Sequence, residues 1–168
     1  MNSPFRVDPL GEAHDRTGFS SSSGQEPLDR YFQTQATQDI RRRVATCFVA
    51  VEVSTGTVAG YYTLASAGIP MMDLPPEVAK KLPRYPSIPA VRIGRRAVDS
   101  RFQGMGLGGA LLADALDRVM SSPPAAYAML LDAKDERAIA FCWRYGFIPL
   151  VSQPRTLFLP VAEKTLRR

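Results

Sequence analysis

Residues 98–112 read Val-Asp-Ser-Arg-Phe-Gln-Gly-Met-Gly-Leu-Gly-Gly-Ala-Leu-Leu. This stretch restricts the fold more than any other. A strand-like run, Ala90 to Asp99, stops at a polar break. Gly104, Gly106 and Gly108 then come at every second position, and a helical pattern of leucines begins directly behind them. Strand, glycine turn and amphipathic helix in succession make an α/β unit. Glycine at such a junction accepts dihedrals closed to other residues and lets a ligand approach the bare backbone. The first N–H groups of a helix have no intrahelical acceptor, and with the helix dipole they form a site for phosphate. The stretch therefore reads as a loop for a pyrophosphate-bearing ligand. Glycine-rich turns also serve packing alone, and Gly-x-Gly by itself is a weak motif. A dinucleotide fingerprint needs an acidic residue about 20 residues further on, whereas Asp117 falls inside the helix and Asp132 comes too late. No Gly-Lys-Ser/Thr follows, so this is no Walker loop.

The chain has 168 residues, enough for one domain with its own core. Hydrophobic residues at 45% and charged residues at 22% fit a soluble globular protein. No apolar run approaches the roughly 18 residues of a membrane span, and Met1 to Asp15 has no apolar signal core. The expected location is the cytoplasm, with no membrane partner. Cys47 and Cys142 are the only cysteines and His14 the only histidine. That set supplies neither a metal site nor a Ser-His-Asp triad. Lys and Arg total 21 against 16 Asp and Glu, a net charge of +5. Arginines cluster at 41–43, at Arg92 with Arg95 and Arg96, and at 167–168. Such clusters suit a polyanion, whether nucleic acid or a phosphorylated cofactor, or are simply a solvated face.

The remaining elements are punctuated clearly. Phe5 to Leu10 reads as a short strand and residues 18–24 as a Ser-rich loop. Leu28, Tyr31, Phe32, Ala36 and Ile40 recur at helical spacing behind Pro27, which predicts one amphipathic helix over residues 27–40. Arg43 to Val53 and Thr57 to Gly68 form a hairpin about Ser54-Thr55-Gly56. Residues 69–89 carry six prolines and read as a long insertion with a helical turn near Glu77 to Lys81. Behind the glycine loop, Leu107, Leu111, Ala115 and Val119 form one stripe, widened by Leu112 and Leu116. Asp114, Asp117 and Arg118 are expected to face water. Ala126 to Asp132 is strand-like, Asp135 caps a helix running to Tyr145, and Gly146 stops it. Phe147 to Val151 and Thr156 to Val161 are the last strands. The expected fold is a single α/β domain, a mixed twisted sheet flanked by helices.

The glycine loop resembles the pyrophosphate loop of the GNAT acetyltransferases, Gln/Arg-x-x-Gly-x-Gly/Ala. Gln103, Gly106 and Gly108 fit this pattern, and Arg101, Gly104 and Gly106 fit it in a second register. The leucines at 111 and 112 favour the first. Ala138, Phe141, Cys142, Gly146 and Phe147 then match the family's Ala-x-x-Phe-Tyr-x-x-x-Gly-Phe, with cysteine in the tyrosine's place. A narrower likeness, to the GNAT toxins of type II toxin–antitoxin pairs, covers nearly the whole chain. It is carried by Leu28 to Tyr31, Gln38 to Arg43, Gly60 to Leu64, Pro89 to Arg95, Ala97 to Asp99 and Asp132 to Asp135. Arg96 departs from it, standing where those toxins usually have an apolar residue.

The resemblance implies acetyl-CoA as the acetyl donor and the α-amino group of aminoacyl-tRNA as the acceptor. It also implies a ribbon-helix-helix antitoxin and a homodimer. Residues 103–109 (Gln103, Gly104, Met105, Gly106, Leu107, Gly108 and Gly109) would hold the cofactor, with backbone N–H groups from Met105 onward on the pyrophosphate. Ala97 and Val98 would bond the pantetheine arm, and Arg92 and Arg95 would meet the acceptor end of the tRNA. An α-amino group has a pKa of about 8, so much of it is neutral near pH 7 and a strong base is dispensable. The acid is the open question. Cys142 replaces a phenol with a shorter thiol of lower reference pKa, about 8.5 against about 10. Three outcomes remain: Cys142 acts through a water, Tyr145 substitutes for it, or the chain binds acetyl-CoA with little turnover. Cys142 also fits a small buried core position, and Trp143 reads as a packing or partner-contact residue. The alternative acceptors are small amines and protein N-termini.

Overall fold

The computed structural model describes residues 3–21 and 26–161; the arginine pair at 167–168 and part of the Ser-rich loop lie outside them. The elements are β1 (Phe5–Pro9), α1 (Glu26–Thr34), α2 (Ala36–Arg41), β2 (Thr46–Glu52), β3 (Val58–Pro70), α3 (Pro76–Ala79), β4 (Ser87–Val98), α4 (Leu107–Ser121), β5 (Ala128–Asp132), α5 (Glu136–Arg144), β6 (Ile148–Pro149) and β7 (Thr156–Pro160). The seven strands follow the order β1-β2-β3-β4-β5-β7-β6. β4 and β5 are parallel, whereas β1–β2, β2–β3, β5–β7 and β6–β7 are antiparallel, so the sheet is mixed as expected. The chain divides into two compact units, residues 1–65 with 94–115, and residues 66–93 with 116–168.

The first unit is built on aromatic packing. The Phe32 ring stacks on Tyr61 with centroids 4.3 Å apart and planes 6° from parallel, and Phe19 meets both edge-on at 4.9 and 5.7 Å. All three rings are buried. Such contacts add about 0.5–1.5 kcal/mol per pair beyond the area they bury. The buried Tyr61 hydroxyl donates to the Leu28 carbonyl at 2.8 Å, so its burial leaves no lost hydrogen bond. On β3, a Cβ at Gly60 would lie 3.0 Å from the Ala97 carbonyl oxygen and 3.2 Å from the Leu111 side chain. Only glycine lets strand and helix approach so closely there.

The helix expected over residues 27–40 is broken at Gln35 into α1 and α2. The Thr34 hydroxyl donates to the Arg30 carbonyl at 2.7 Å, competing with the helical ladder where the break occurs. α2 ends in a Schellman cap: Arg43 N–H donates to Ile40 and Val44 N–H to Asp39, both at 3.0 Å. The left-handed position of that cap, usually glycine, is Arg43 at φ 60°. The Asp114 expectation is also corrected. Asp114 is half-buried and accepts a hydrogen bond from the Tyr62 hydroxyl rather than facing water.

In the second unit, Ile69, Leu74, Ile88, Ala90, Ala128, Leu130, Leu150 and Phe158 form one apolar cluster. The Pro-rich insertion is shorter than expected, because β3 runs through Pro70 and β4 starts at Ser87. The strands accommodate proline where no N–H is needed. Pro89 contributes only its carbonyl, which accepts from Tyr127 N–H at 2.8 Å. The insertion is tied down at Asp73. Its buried carboxylate accepts from the Ser152 hydroxyl, and its carbonyl accepts from Val151 N–H at 2.9 Å. The strand expected over 147–151 shrinks to β6, and the last strand ends at Pro160.

Arg43 offers a direct test of the backbone reasoning. Arg43→Gly is expected to raise stability by about 0.5–1 kcal/mol, the left-handed penalty of a Cβ residue less glycine's extra unfolded-state entropy. In urea unfolding, the midpoint should rise with the m-value unchanged.

Candidate active site

The glycine loop lies in the first unit. β4 ends at Val98, and Ser100–Phe102 makes one 3-10 turn whose buried Phe102 packs edge-on against Phe5 at 5.7 Å. Gly104 and Gly106 have φ of 80° and 77°, and among the described residues no atom beyond the chain neighbours lies within 4 Å of where either Cβ would be. Glycine is thus required for its dihedrals, while the space in front of the loop stays open. Gln103, Gly104, Met105 and Gly106 are all exposed. Leu107 is buried and anchors α4, so it can offer a ligand only its backbone. Ala110 N–H donates to the Gly106 carbonyl at 3.1 Å. The preceding N–H groups, of Leu107, Gly108 and Gly109, are those a helix leaves without an intrahelical acceptor. An anion held there meets aligned N–H donors and the positive end of a 15-residue helix.

Two side chains bond backbone carbonyls around the loop. Gln103 Nε2 donates to the Val98 carbonyl at 3.3 Å, and Arg96 Nη1 reaches the Gly108 carbonyl at 3.5 Å. The unexpected arginine at 96 therefore sits against the start of α4, half-buried. Ala97 is buried and Val98 half-buried.

Asp99 is the residue the sequence reading left without a role. It is only 1% exposed. Its carboxylate accepts from Arg101 N–H and Nε, both at 2.9 Å, from Arg101 Nη2 at 3.0 Å and from Ser20 N–H at 3.1 Å. Burial alone would push this carboxyl up. The bonds from Arg101 and the Ser20 N–H outweigh burial and hold it below the usual carboxylate range.

Cys142 and Tyr145 lie in the second unit, on and just beyond α5. Asp135 caps this helix as expected, its carboxylate accepting from Ala138 N–H at 2.9 Å. At the far end Gly146, at φ 98°, occupies the left-handed position of a Schellman cap. Gly146 N–H donates to Trp143 at 3.0 Å and Phe147 N–H to Cys142 at 3.2 Å. The Cys142 side chain is buried and is not part of a disulfide. Tyr145 is half-buried, with its ring 4.9 Å from that of Phe141. Trp143 is 60% exposed.

The two arginines expected to meet the acceptor end of the tRNA differ. Arg92, in the second unit, is ion-paired to Asp132, which also accepts from the Thr156 hydroxyl at 2.8 Å. Arg95, in the first unit, is exposed and lies over the Tyr31 ring at 3.8 Å, a cation–π contact. The Tyr31 hydroxyl donates to Asp39 at 2.7 Å. Among the described residues no group of three or more His, Cys, Asp or Glu is placed to hold a metal, and no helix is long and apolar enough to cross a membrane.

This arrangement of strand end, left-handed glycines and helix start has a counterpart in known proteins. The sequence profile of the acetyltransferase (GNAT) family matches residues 12–147, and the chain belongs to that family. It is an acetyltransferase with acetyl-CoA as the donor. Among its relatives is a probable toxin TacT of Sinorhizobium fredii, 33% identical over 166 residues, covering 93% of this chain and 91% of that one. A tRNA-acetylating toxin of Mycobacterium tuberculosis is 33% identical over 152 residues, covering 89% and 88%. The fold matches AtaT complexed with acetyl-methionyl-tRNAfMet with a TM-score of 0.84, at 29% identity over 93% of this chain and 94% of that one. It also matches AtaTR bound with acetyl-CoA at 0.78, with 29% identity over 94% of each chain.

The Asp99 bonds carry a pH signature. A carboxyl whose folded pKa is depressed contributes stability that is complete above its unfolded value, about 3.9, and lost as pH falls through the folded value. Asp99→Asn is expected to lower stability at neutral pH, with the deficit shrinking below about pH 4. Urea unfolding of both proteins at several pH values measures this. A deficit that stays constant down to pH 2 would contradict the role given to the carboxylate.

Proposed function

We propose that the chain acetylates the α-amino group of an aminoacyl group carried on tRNA, and so blocks translation as the toxin of a toxin–antitoxin pair. The observation that carries this reading is identity over nearly the full length to a tRNA-acetylating toxin, joined to an open glycine loop at a helix start. A ribbon-helix-helix antitoxin, a homodimeric state and a cytoplasmic location, where charged tRNA is found, complete the proposal.

The reaction asks little of the protein beyond positioning. The loop N–H groups hold the pyrophosphate of acetyl-CoA, and the end of β4 presents backbone to the pantetheine arm. The neutral α-amino group attacks the thioester carbonyl directly. A backbone N–H aimed at the carbonyl oxygen stabilises the oxyanion of the tetrahedral intermediate. Collapse breaks the C–S bond, leaving an amide and the thiolate of coenzyme A, and the amine's surplus proton is released. Protonating that thiolate is the task of a general acid, here Cys142 or Tyr145. A second reading, a cofactor-binding protein with little turnover, is favoured by one observation: the residue in the tyrosine's place is a buried cysteine.

Labelled acetyl-CoA and charged tRNA separate the two. Label on the aminoacyl group is expected. Bound acetyl-CoA with no label on any charged tRNA would sink the toxin reading. Positioned acids contribute about 10²–10⁴-fold, so Cys142→Tyr is expected to raise kcat at pH 7 by about tenfold or more. An unchanged kcat assigns the proton to another group, and Tyr145→Phe in the same assay identifies it. Raising salt from about 50 to 200 mM should raise the KM for tRNA, because phosphate contacts release counterions.

A further inference from the structure

We propose that Asp29 and Asp99 are positioning residues for acetyl-CoA, linked through Ser20 and Ser21 into a clip that holds the cofactor loop to α1. The inference rests on reading residues 103–109 as the acetyl-CoA loop. Every contact in it belongs to the first unit.

The clip is reciprocal at its loop end and doubly bonded at its helix end. At the loop end, Ser20 N–H donates to the Asp99 carboxylate at 3.1 Å, and Ser100 N–H donates to the Ser20 carbonyl at 2.8 Å. At the helix end, Ser21 N–H lies 3.1 Å from both Asp29 oxygens, and the Ser21 hydroxyl donates to Asp29 at 2.7 Å. The segment leading to the serines is bonded to the same helix. Arg16 Nη1 donates to the Phe32 carbonyl, and Gln33 Nε2 to the Phe19 carbonyl, both at 2.8 Å. Asp99 is also fixed to the backbone of β3, its N–H donating to the Ala59 carbonyl at 2.8 Å. Arg101, one residue before the buried Phe102, is held by the same carboxylate.

Two carboxylates are thus spent on backbone N–H groups of a connecting segment. Ionised acceptors make such bonds about twice as strong as neutral ones, and hydroxyl or amide groups would have sufficed to satisfy the donors. The return is a fixed approach to the glycine loop. Among the described residues, nothing beyond the chain neighbours lies within 4 Å of a Cβ at Gly104 or Gly106, so the loop's order rests on its two ends and on the Gln103–Val98 bond. One end is the buried Leu107 of α4; the other is Asp99 and the clip. A loop that presents its N–H groups before the ligand arrives loses less entropy on binding. Loosening the clip at Asp29, which bonds Ser21 rather than the loop itself, therefore weakens acetyl-CoA binding while leaving the chemical step alone.

The test uses the full chain, calorimetric titration with acetyl-CoA, and hydrogen exchange of the 103–109 amides. For Asp29→Asn the Kd is expected to rise about fivefold, with faster exchange in the loop. The KM for acetyl-CoA should rise in step, with kcat at saturating acetyl-CoA within about twofold of wild type. Asp29→Glu is expected to restore much of the affinity. Ser21→Ala, which removes one hydroxyl bond, should give a smaller change in the same direction, and it carries the test if Asp29→Asn fails to fold. Wild-type Kd and wild-type loop exchange in a folded Asp29→Asn or Ser21→Ala protein would overturn the proposal. Gly106→Val serves as the control. If it binds acetyl-CoA normally, the loop reading fails and the proposal with it; if it alone loses binding, only the clip is refuted.

Discussion

An α-helix cannot satisfy its own first N–H groups, and the glycine loop is where α4 leaves its own. Gly104 and Gly106 adopt left-handed dihedrals to turn the chain into the helix, and among the described residues nothing beyond the chain neighbours lies within 4 Å of a Cβ at either. Leu107 pins the helix start from behind. Tight packing under α4 follows from the same requirement: Gly60 brings β3 within contact of Ala97 and Leu111. A site made of backbone donors has no side chain to mark it, so it is recognised by the glycines that expose it.

That explains what was legible in the sequence. The strand, the glycine loop and the helix behind it were readable because backbone conformation there is dictated by residue type. The same is true of α5, where Asp135 and Gly146 mark both ends in the positions the structure uses. Readings failed where a contact distant in sequence or a local side-chain bond overrode the local pattern. Gln35 interrupts a periodicity that continues through it. Pro70 and Pro89 look like breakers yet sit in strands at positions that need no N–H. Asp114 looks solvent-facing by helical spacing, but it meets Tyr62 from a strand. Ser20 and Asp99 are 79 residues apart, and neither carries a local signature of the other.

The arginines show the limit of composition as a guide. A net charge of +5 and three clusters say that cations are abundant, and nothing of what each one faces. Arg92 is engaged by Asp132, and Arg101 by Asp99. Arg96 points at a carbonyl of the loop's own helix. Arg95 keeps an exposed guanidinium but has its orientation set by the Tyr31 ring. Within each unit the cations have directions set by their neighbours, so charge alone does not say what each one faces.

The cap on α5 has a consequence for the exchange of tyrosine for cysteine. Residue 142 is held in the helix end through its carbonyl, which accepts from Phe147 N–H, while Gly146 supplies the turn. Neither contribution depends on what the side chain is. The cap therefore fixes the backbone at position 142 through main-chain bonds alone, while the fit of any side chain there is set by the core that buries it.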